Sequence, residues 1–137
     1  MRTRIFNGKE QIFCEWRHRW VRLTPEEWVR QQLLHRLVEQ LGYSAALIAV
    51  EAPIKVGKMQ KRCDAIVYNN VMQPLMLIEC KAETVSLTQK TLDQAATYNR
   101  KLQVPYLILH NGPQTIIAYV NDKSISFVQS IPPYNQL

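Results

Sequence analysis

The strongest constraint on the fold is one amphipathic helix, which the sequence predicts from residue 25 to residue 41. Thr24 is suited to cap the first turn, Pro25 fits the first helical position, and Glu27 follows Thr24 at capping-box spacing. Gly42 supplies the left-handed conformation that ends such a helix. Apolar residues recur at helical spacing along one side, namely Val29, Leu33, Leu34, Leu37, Val38 and Leu41. One face of this helix is therefore expected to be buried.

Strand patterns dominate the rest of the chain. They are predicted at residues 45–50, 61–68, 75–81, 106–110, 115–120 and 124–128, with a second helix at 88–102. Asn69-Asn70 and Pro74 indicate a hairpin loop between the second and third of these strands. Asn7-Gly8 indicates an earlier turn, in an N-terminal β-hairpin at about residues 4–23. This order predicts a single α/β domain of the α+β type over residues 1–137, with a central mixed sheet flanked by helices.

The charge balance indicates the class of partner. The chain of 137 residues has 17 Lys and Arg against 11 Asp and Glu, a net charge of +6. Basic proteins favour polyanions, because their cations release condensed counterions from phosphates. A nucleic acid is therefore the expected partner, and a merely basic soluble protein is the alternative.

Cysteine usage and hydropathy indicate the compartment. The three cysteines form no Cys-x-x-Cys pair, which argues against a disulfide framework or a zinc ribbon and fits a reducing environment. No apolar run is long enough for a signal peptide or a membrane span. We therefore expect a cytoplasmic protein without a membrane partner.

Acidic residues stand in two strands that are otherwise apolar. The run Leu75–Ile78 ends in Glu79-Cys80-Lys81, and strand alternation puts Glu79 and Lys81 on the same face. Asp64 belongs to the preceding strand, and in a hairpin it can lie opposite Glu79. Two facing carboxylates repel each other unless a cation lies between them.

Two interpretations of these residues remain open. In the first, a divalent metal binds Asp64, Glu79 and the backbone carbonyl of Cys80, since magnesium prefers oxygen ligands and often takes one or two carboxylates. That site would suit phosphodiester hydrolysis, with Lys81 protonated and stabilising charge. In the second, Lys81 forms a structural ion pair with Asp64 or Glu79 at the sheet margin.

The same residues resemble a known nuclease signature. Asp64, followed 15 residues later by Glu79-Cys80-Lys81, resembles the PD-(D/E)xK motif, with Cys63 in place of the usual proline. Gln94 and Tyr98 form an i,i+4 pair on the next helix and resemble the Gln-x-x-x-Tyr motif of the RecB-like branch. The resemblance implies that this pair supports the site and contacts DNA, and an ordinary polar helix face is the alternative.

A longer ordered set of segments resembles the N-terminal nuclease domain of type I restriction enzyme R subunits, and more narrowly the short stand-alone proteins that carry only that domain. The set comprises Leu23–Gln31, Leu41–Tyr43, Lys61–Asp64, Ile78–Ala82, Gln94, Tyr98-Asn99 and Asn111-Gly112. The resemblance implies a restriction-endonuclease-like fold and a magnesium-dependent DNA endonuclease, with manganese as an alternative cofactor. It also implies that the protein either works with motor or specificity subunits as partners or acts alone with little sequence preference. The alternative function is a non-catalytic nucleic-acid-binding or accessory subunit that keeps the nuclease scaffold.

The resemblance also implies a further metal ligand. A carboxylate of the first helix often joins the site in such folds, which makes Glu27 the candidate, with Glu39 second and Glu51 weaker. The capping box is a complete structural explanation of Glu27 as well.

Basic residues flank the strand that carries Asp64. They are expected to contact phosphates, and the alternative is a solvated loop: Lys55, Lys58, Lys61 and Arg62. Since one active site makes one nick, cutting both strands requires a homodimer or two visits.

Overall fold

The computed structural model describes residues 1–122 and 124–137, and it contains two sheets and two α-helices. The N-terminal sheet is an antiparallel meander of β1 (Thr3–Phe6), β2 (Lys9–Cys14) and β3 (Arg19–Arg22). The helices are α1 (Pro25–Leu41) and α2 (Gln89–Leu102). Short 3-10 helices span Ala45–Leu47 and Tyr134–Gln136.

The main sheet has six strands in sequence order, β4 to β9. Strands β6 and β7 are parallel, and the other neighbours are antiparallel, so the sheet is mixed as predicted. The strands are β4 (Ile48–Val56), β5 (Met59–Tyr68), β6 (Pro74–Cys80), β7 (Tyr106–His110), β8 (Thr115–Val120) and β9 (Ile125–Val128).

The helices cover opposite faces of this sheet. The bounds of α1 match the prediction because both caps form: Thr24 Oγ1 accepts a hydrogen bond from the Glu27 backbone at 3.1 Å, and Gly42 has a φ of 77°. The apolar stripe of α1 packs with Met76, Ile78 and Cys80 of β6. On the other side, α2 packs on Leu77 and its neighbours. The alternation predicted for β6 is thereby confirmed.

Several predicted boundaries were wrong. The N-terminal hairpin is a three-stranded meander, because the basic segment after Cys14 adds β3. The strand predicted at residues 45–50 starts as a 3-10 helix and continues as β4 to Val56, past Pro53. Proline is tolerated there because β4 is an edge strand. The strand predicted to end at Lys81 ends at Cys80, and the last strand starts at Ile125 rather than Ser124.

Cys14, Cys63 and Cys80 are buried free thiols. Neither α1 nor α2, the α-helices of the described residues, is long and apolar enough to cross a bilayer.

Candidate active site

A cavity of about 270 Å³ lies where the main sheet meets both helices. It brings together the five residues that the sequence predicts as catalytic: Asp64, Glu79, Lys81, Gln94 and Tyr98. Its remaining lining residues are Glu26, Arg30, Glu51, Arg62 and Cys63. Residues from α1, β4, β5, β6 and α2 therefore converge on one small polar space.

The backbone of the two strands at the sheet edge changes course at this cavity. Glu51 has a φ of 53°, which is a strained conformation for a residue other than glycine. Val50, just before Glu51, packs on the α1 side of the sheet, whereas Ala52, just after it, packs on the α2 side. In a regular strand, two residues that are two positions apart would lie on the same face. Asp64 of β5 stands between the pairs Val50–Ala65 and Ala52–Cys63. The change of face therefore falls at the residues that carry the carboxylates.

Asp64 is held by one backbone and one side-chain donor. Its Oδ2 accepts a hydrogen bond from the Cys80 backbone N–H at 2.8 Å, and its Oδ1 accepts one from Arg30 at 3.0 Å. In the antiparallel β5–β6 ladder, Ala65 pairs with Ile78. Glu79 is the residue after Ile78 on β6, and Asp64 is the residue before Ala65 on β5. The predicted proximity of Asp64 and Glu79 is reflected in their electrostatic interaction.

Glu79 has a buried polar atom without a partner, as Trp16 and Gln31 also do among the described residues. Its Oε1 is buried and has no hydrogen-bond partner in the described part of the chain. Burial and the neighbouring charge of Asp64 raise the pKa of Glu79 to about 8, and the Lys81 ammonium acts against that rise. A buried acceptor without a donor is costly, and a bound cation would satisfy it.

The donor set fits a hard divalent cation with a small number of protein ligands. Within residues 1–122 and 124–137, no three His, Cys, Asp or Glu side chains form a ready-made metal cluster. Magnesium does not require one, because it commonly binds through one or two carboxylates and retains waters or substrate oxygens. Asp64 keeps lone pairs beyond those used by Arg30 and Cys80. The two carboxylates therefore fit magnesium without further protein ligands.

The carboxylate of Glu27 is bound by neighbouring side chains and does not line the 270 Å³ cavity. It accepts a hydrogen bond from Arg17 at 2.6 Å, and it also pairs with Arg30 and with Gln31. Burial alone would raise the pKa of Glu27, but the bonds from the two arginines outweigh it and lower the pKa. The cavity is lined instead by Glu26, whose pKa is raised by burial and by the charge of Asp64. In the structure Glu27 belongs to the arginine network, and its role as a possible metal ligand stays a prediction.

The arginine network was missed by sequence reasoning. Arg30 is 7% exposed and contacts Glu27, Asp64 and Glu51, the last at 3.4 Å. The available signal was the presence of polar residues among the apolar stripe of α1, at Glu27, Arg30 and Gln31. Glu51 lines the cavity, whereas Glu39 pairs with His35 and is exposed.

The remaining predicted catalytic residues line the cavity from its other sides. Lys81 follows β6 directly, and its backbone N–H donates to the His110 carbonyl at 2.9 Å. Gln94 donates a hydrogen bond to the Tyr98 hydroxyl at 3.1 Å, so the i,i+4 pair is formed on α2. Tyr98 is buried and Gln94 is exposed.

The predicted phosphate contacts lie on the β4–β5 hairpin. Lys55, Lys58 and Arg62 are exposed and Lys61 is half-buried. Arg62 also lines the cavity and approaches Glu51 at 3.8 Å. A basic hairpin therefore borders the acidic site, which suits a polyanion whose backbone must approach two carboxylates.

The mixed sheet, its two covering helices and the acidic cavity define a nuclease-like domain related to restriction enzymes. Residues 25–132 match the family described as "Type I restriction enzyme R protein N terminus", and the chain belongs to this family. No curated protein matches the chain.

Two solved structures share the fold. A fragment of a candidate HsdR subunit of a type I restriction enzyme from Vibrio vulnificus superposes with a TM-score of 0.62 at 17% identity, over 84% of this chain and 24% of that one. A candidate nuclease of the DUF820 group from Anabaena variabilis gives a TM-score of 0.52 at 8% identity, over 90% of this chain and 79% of that one. The chain thus spans about a quarter of the HsdR fragment.

Proposed function

We propose that this domain is a metal-dependent DNA endonuclease that hydrolyses phosphodiester bonds, with magnesium as cofactor and manganese as an alternative. The observation that carries the proposal is the buried Oε1 of Glu79, which has no hydrogen-bond partner among the described residues. It lies beside Asp64 in a cavity that also contains Lys81. An acceptor in that position is accounted for by a cation. When bound, such a cation would lower the pKa of a water ligand and stabilise negative charge on a phosphate.

Each side chain has a separate part in the proposed reaction. Asp64 and Glu79 hold the cation, and Arg30 together with the Cys80 N–H keeps Asp64 oriented. Lys81 neutralises charge that develops on the phosphate. The Gln94–Tyr98 pair lines the side of the cavity that α2 forms and positions the scissile strand.

The proposal is tested with Glu79→Gln and Lys81→Ala, because neither side chain holds the fold through an ion pair in the described residues. Plasmid, linear, single-stranded and branched DNA are incubated with magnesium, manganese or a chelator. We expect cleavage to fall about 100-fold or more in both variants. Matched controls are Glu39→Gln on the exposed side of α1 and Lys101→Ala at the end of α2.

Cation binding gives a readout that does not require cleavage. Manganese or magnesium is expected to raise the Tm of the wild-type chain by linkage and to leave the Tm of Glu79→Gln unchanged. Equal rises in Tm in the wild type and in Glu79→Gln, together with full cleavage by that variant, would contradict the proposed metal site.

A second candidate function is a nucleic-acid-binding accessory module without catalysis. It is favoured by the Arg30–Asp64 pair, because the guanidinium already neutralises one of the two proposed ligands. Salt-dependent DNA binding, without cleavage under any tested cation, would support this alternative.

Family membership suggests assembly with larger partners. The whole enzymes of this family include motor and specificity functions, and we propose that this domain works beside such subunits or as a homodimer that cuts both strands. Light scattering after size exclusion measures the homodimer directly, and a strictly monomeric mass on DNA would exclude it.

A further inference from the structure

The N-terminal meander carries a second concentration of chemistry, outside the family match that begins at Pro25. In its register, Arg4 pairs with Gln11 and Gln11 with Arg22, so these three side chains share one face. Phe13 pairs with Trp20 on the same face. This surface, called here the meander face, consists of Arg2, Arg4, Phe6, Lys9, Gln11, Phe13, Trp20 and Arg22.

The meander face is turned to solvent. On the opposite side of the sheet, Ile12 and Cys14 of the central strand are almost fully buried, whereas Ile5 of β1 is 76% exposed. Phe6 on the meander face is 51% exposed, and one side of its ring is covered by the Arg4 guanidinium. Apolar side chains that form a contiguous exposed patch rimmed by polar residues mark interaction sites.

The charged side chains of the meander face are all cations. The meander face holds the cations of Arg2, Arg4, Lys9 and Arg22. Glu10, the acidic residue in the described strands β1 to β3, pairs with Ile5 and belongs to the other face. Four cations without a facing carboxylate are complementary to a polyanion.

The arginines are already stacked on the aromatic rings. The Arg4 guanidinium carbon lies 4.3 Å from the Trp20 ring centroid and 4.8 Å from that of Phe6. Arg2 lies 4.2 Å above the Phe13 ring. Exposed cation–π contacts are weaker than the stacking of a nucleobase on an aromatic ring. A base can therefore replace a guanidinium, which then becomes free to pair with a phosphate.

We propose that the meander face binds a single-stranded nucleic acid by stacking unpaired bases on Phe6, Phe13 and Trp20. The arginines and Lys9 contact the intervening phosphates. A duplex fits less well because its bases are already stacked on one another, and only their edges are accessible in the grooves.

The meander face is continuous with the candidate active site. A cavity of about 360 Å³ is lined by Arg22 of β3 and by Glu26, Arg30 and Asp64. Arg17, in the loop between β2 and β3, fixes the meander beside this cavity through its 2.6 Å ion pair with Glu27. A strand held on the meander face can thus extend past Arg22 towards the two carboxylates.

Fluorescence anisotropy in a chelator tests the proposal without cleavage, so its outcome is independent of the nuclease assignment. The probes are labelled oligo-dT, oligo-U and a mixed-sequence duplex. We expect single strands to bind more tightly than the duplex, and Phe6→Ala or Trp20→Ala to weaken that binding about 5- to 100-fold. Tighter binding of oligo-U than oligo-dT would assign RNA as the natural strand.

Matched controls separate stacking from charge. Phe127→Ala removes an aromatic that is 61% exposed on β9, and Arg19→Ala removes a cation from the opposite face of β3. Arg4→Ala is expected to lower the salt dependence of binding by about 0.7 in log–log slope, and Arg19→Ala by less. Unchanged affinity in both Phe6→Ala and Trp20→Ala, or equal losses in Phe127→Ala, would overturn the proposal.

Discussion

Arg30 of α1 donates a hydrogen bond to Oδ1 of Asp64 at 3.0 Å and thereby joins a helix to the central sheet inside the candidate site. The same guanidinium contacts Glu27 and Glu51. Burial by itself would lower the pKa of Arg30, but these three carboxylates raise it, so the residue stays charged. Asp64 is therefore oriented by the fold itself before any ligand arrives.

Replacing Arg30 should lower the free energy of unfolding more than replacing an exposed arginine of the same helix. Arg30→Met leaves Asp64 and Glu27 without their shared buried cation, and losing one partner of a buried ion pair costs about 3–5 kcal/mol. Urea unfolding at pH 7 measures the change, with Arg36→Met on the exposed side of α1 as the control. A loss below about 1 kcal/mol would mean that the pair contributes little to the fold.

Without a bound cation, the buried carboxyl of Glu79 is expected to destabilise the fold to an extent that depends on pH. Its pKa is raised from 4.5 to about 8 by burial and by Asp64. Below pH 4.5 the group is protonated in both folded and unfolded chains, so its titration does not change the free energy of unfolding. Between pH 4.5 and 8 the unfolded chain loses the proton first, so the free energy of unfolding decreases as pH rises.

Glu79→Gln removes that titration. In a chelator, we expect the variant to gain roughly 2–4 kcal/mol over the wild type between pH 5 and pH 8.5. Urea denaturation at several pH values measures the difference, and Glu39→Gln should show no such trend because its side chain is exposed. A difference that stays constant across this range would contradict the raised pKa.

Most of the fold was predictable because its signals are local. The caps of α1, the hairpin between β5 and β6, and the alternation along β6 depend on residues adjacent in sequence, and all three are confirmed. The extension of β4 past Pro53 depends on that strand having a neighbour on one side alone, which is a property of the assembled sheet. Local patterns do not contain that information.

The residues of the candidate site also differ in whether local sequence patterns reveal them. Asp64, Glu79 and Lys81 stand out because charged residues follow or interrupt apolar strands, and the cavity contains all three. Glu26 is ordinary in a helical sequence, since charged residues are expected on any exposed helix face, whereas Arg30 stands among the apolar positions of α1. Their place beside Asp64 and Glu79 depends on how α1 packs on the sheet, which only tertiary structure determines.

Cation binding should release a proton. At pH 7 the Glu79 carboxyl is largely protonated because its pKa is about 8, and a metal ligand must be deprotonated. Titration calorimetry with manganese in two buffers of different ionisation enthalpy should therefore report roughly one proton released per bound ion. Glu79→Gln is the comparison, since it has no proton to lose, and an equal release from that variant would assign the proton to another group.

The Gln94–Tyr98 hydrogen bond should act as a unit in catalysis. Tyr98→Phe removes the hydroxyl that accepts from Gln94 at 3.1 Å, and Gln94→Ala removes the donor. If the pair positions the scissile strand, each variant should cut roughly 10-fold more slowly, and the double variant should be no slower than either, because residues acting together are not additive. Single-turnover cleavage rates measure this, with Gln89→Ala at the exposed start of α2 as the control. Additive losses would indicate that the two side chains serve separate functions and that their contact is incidental.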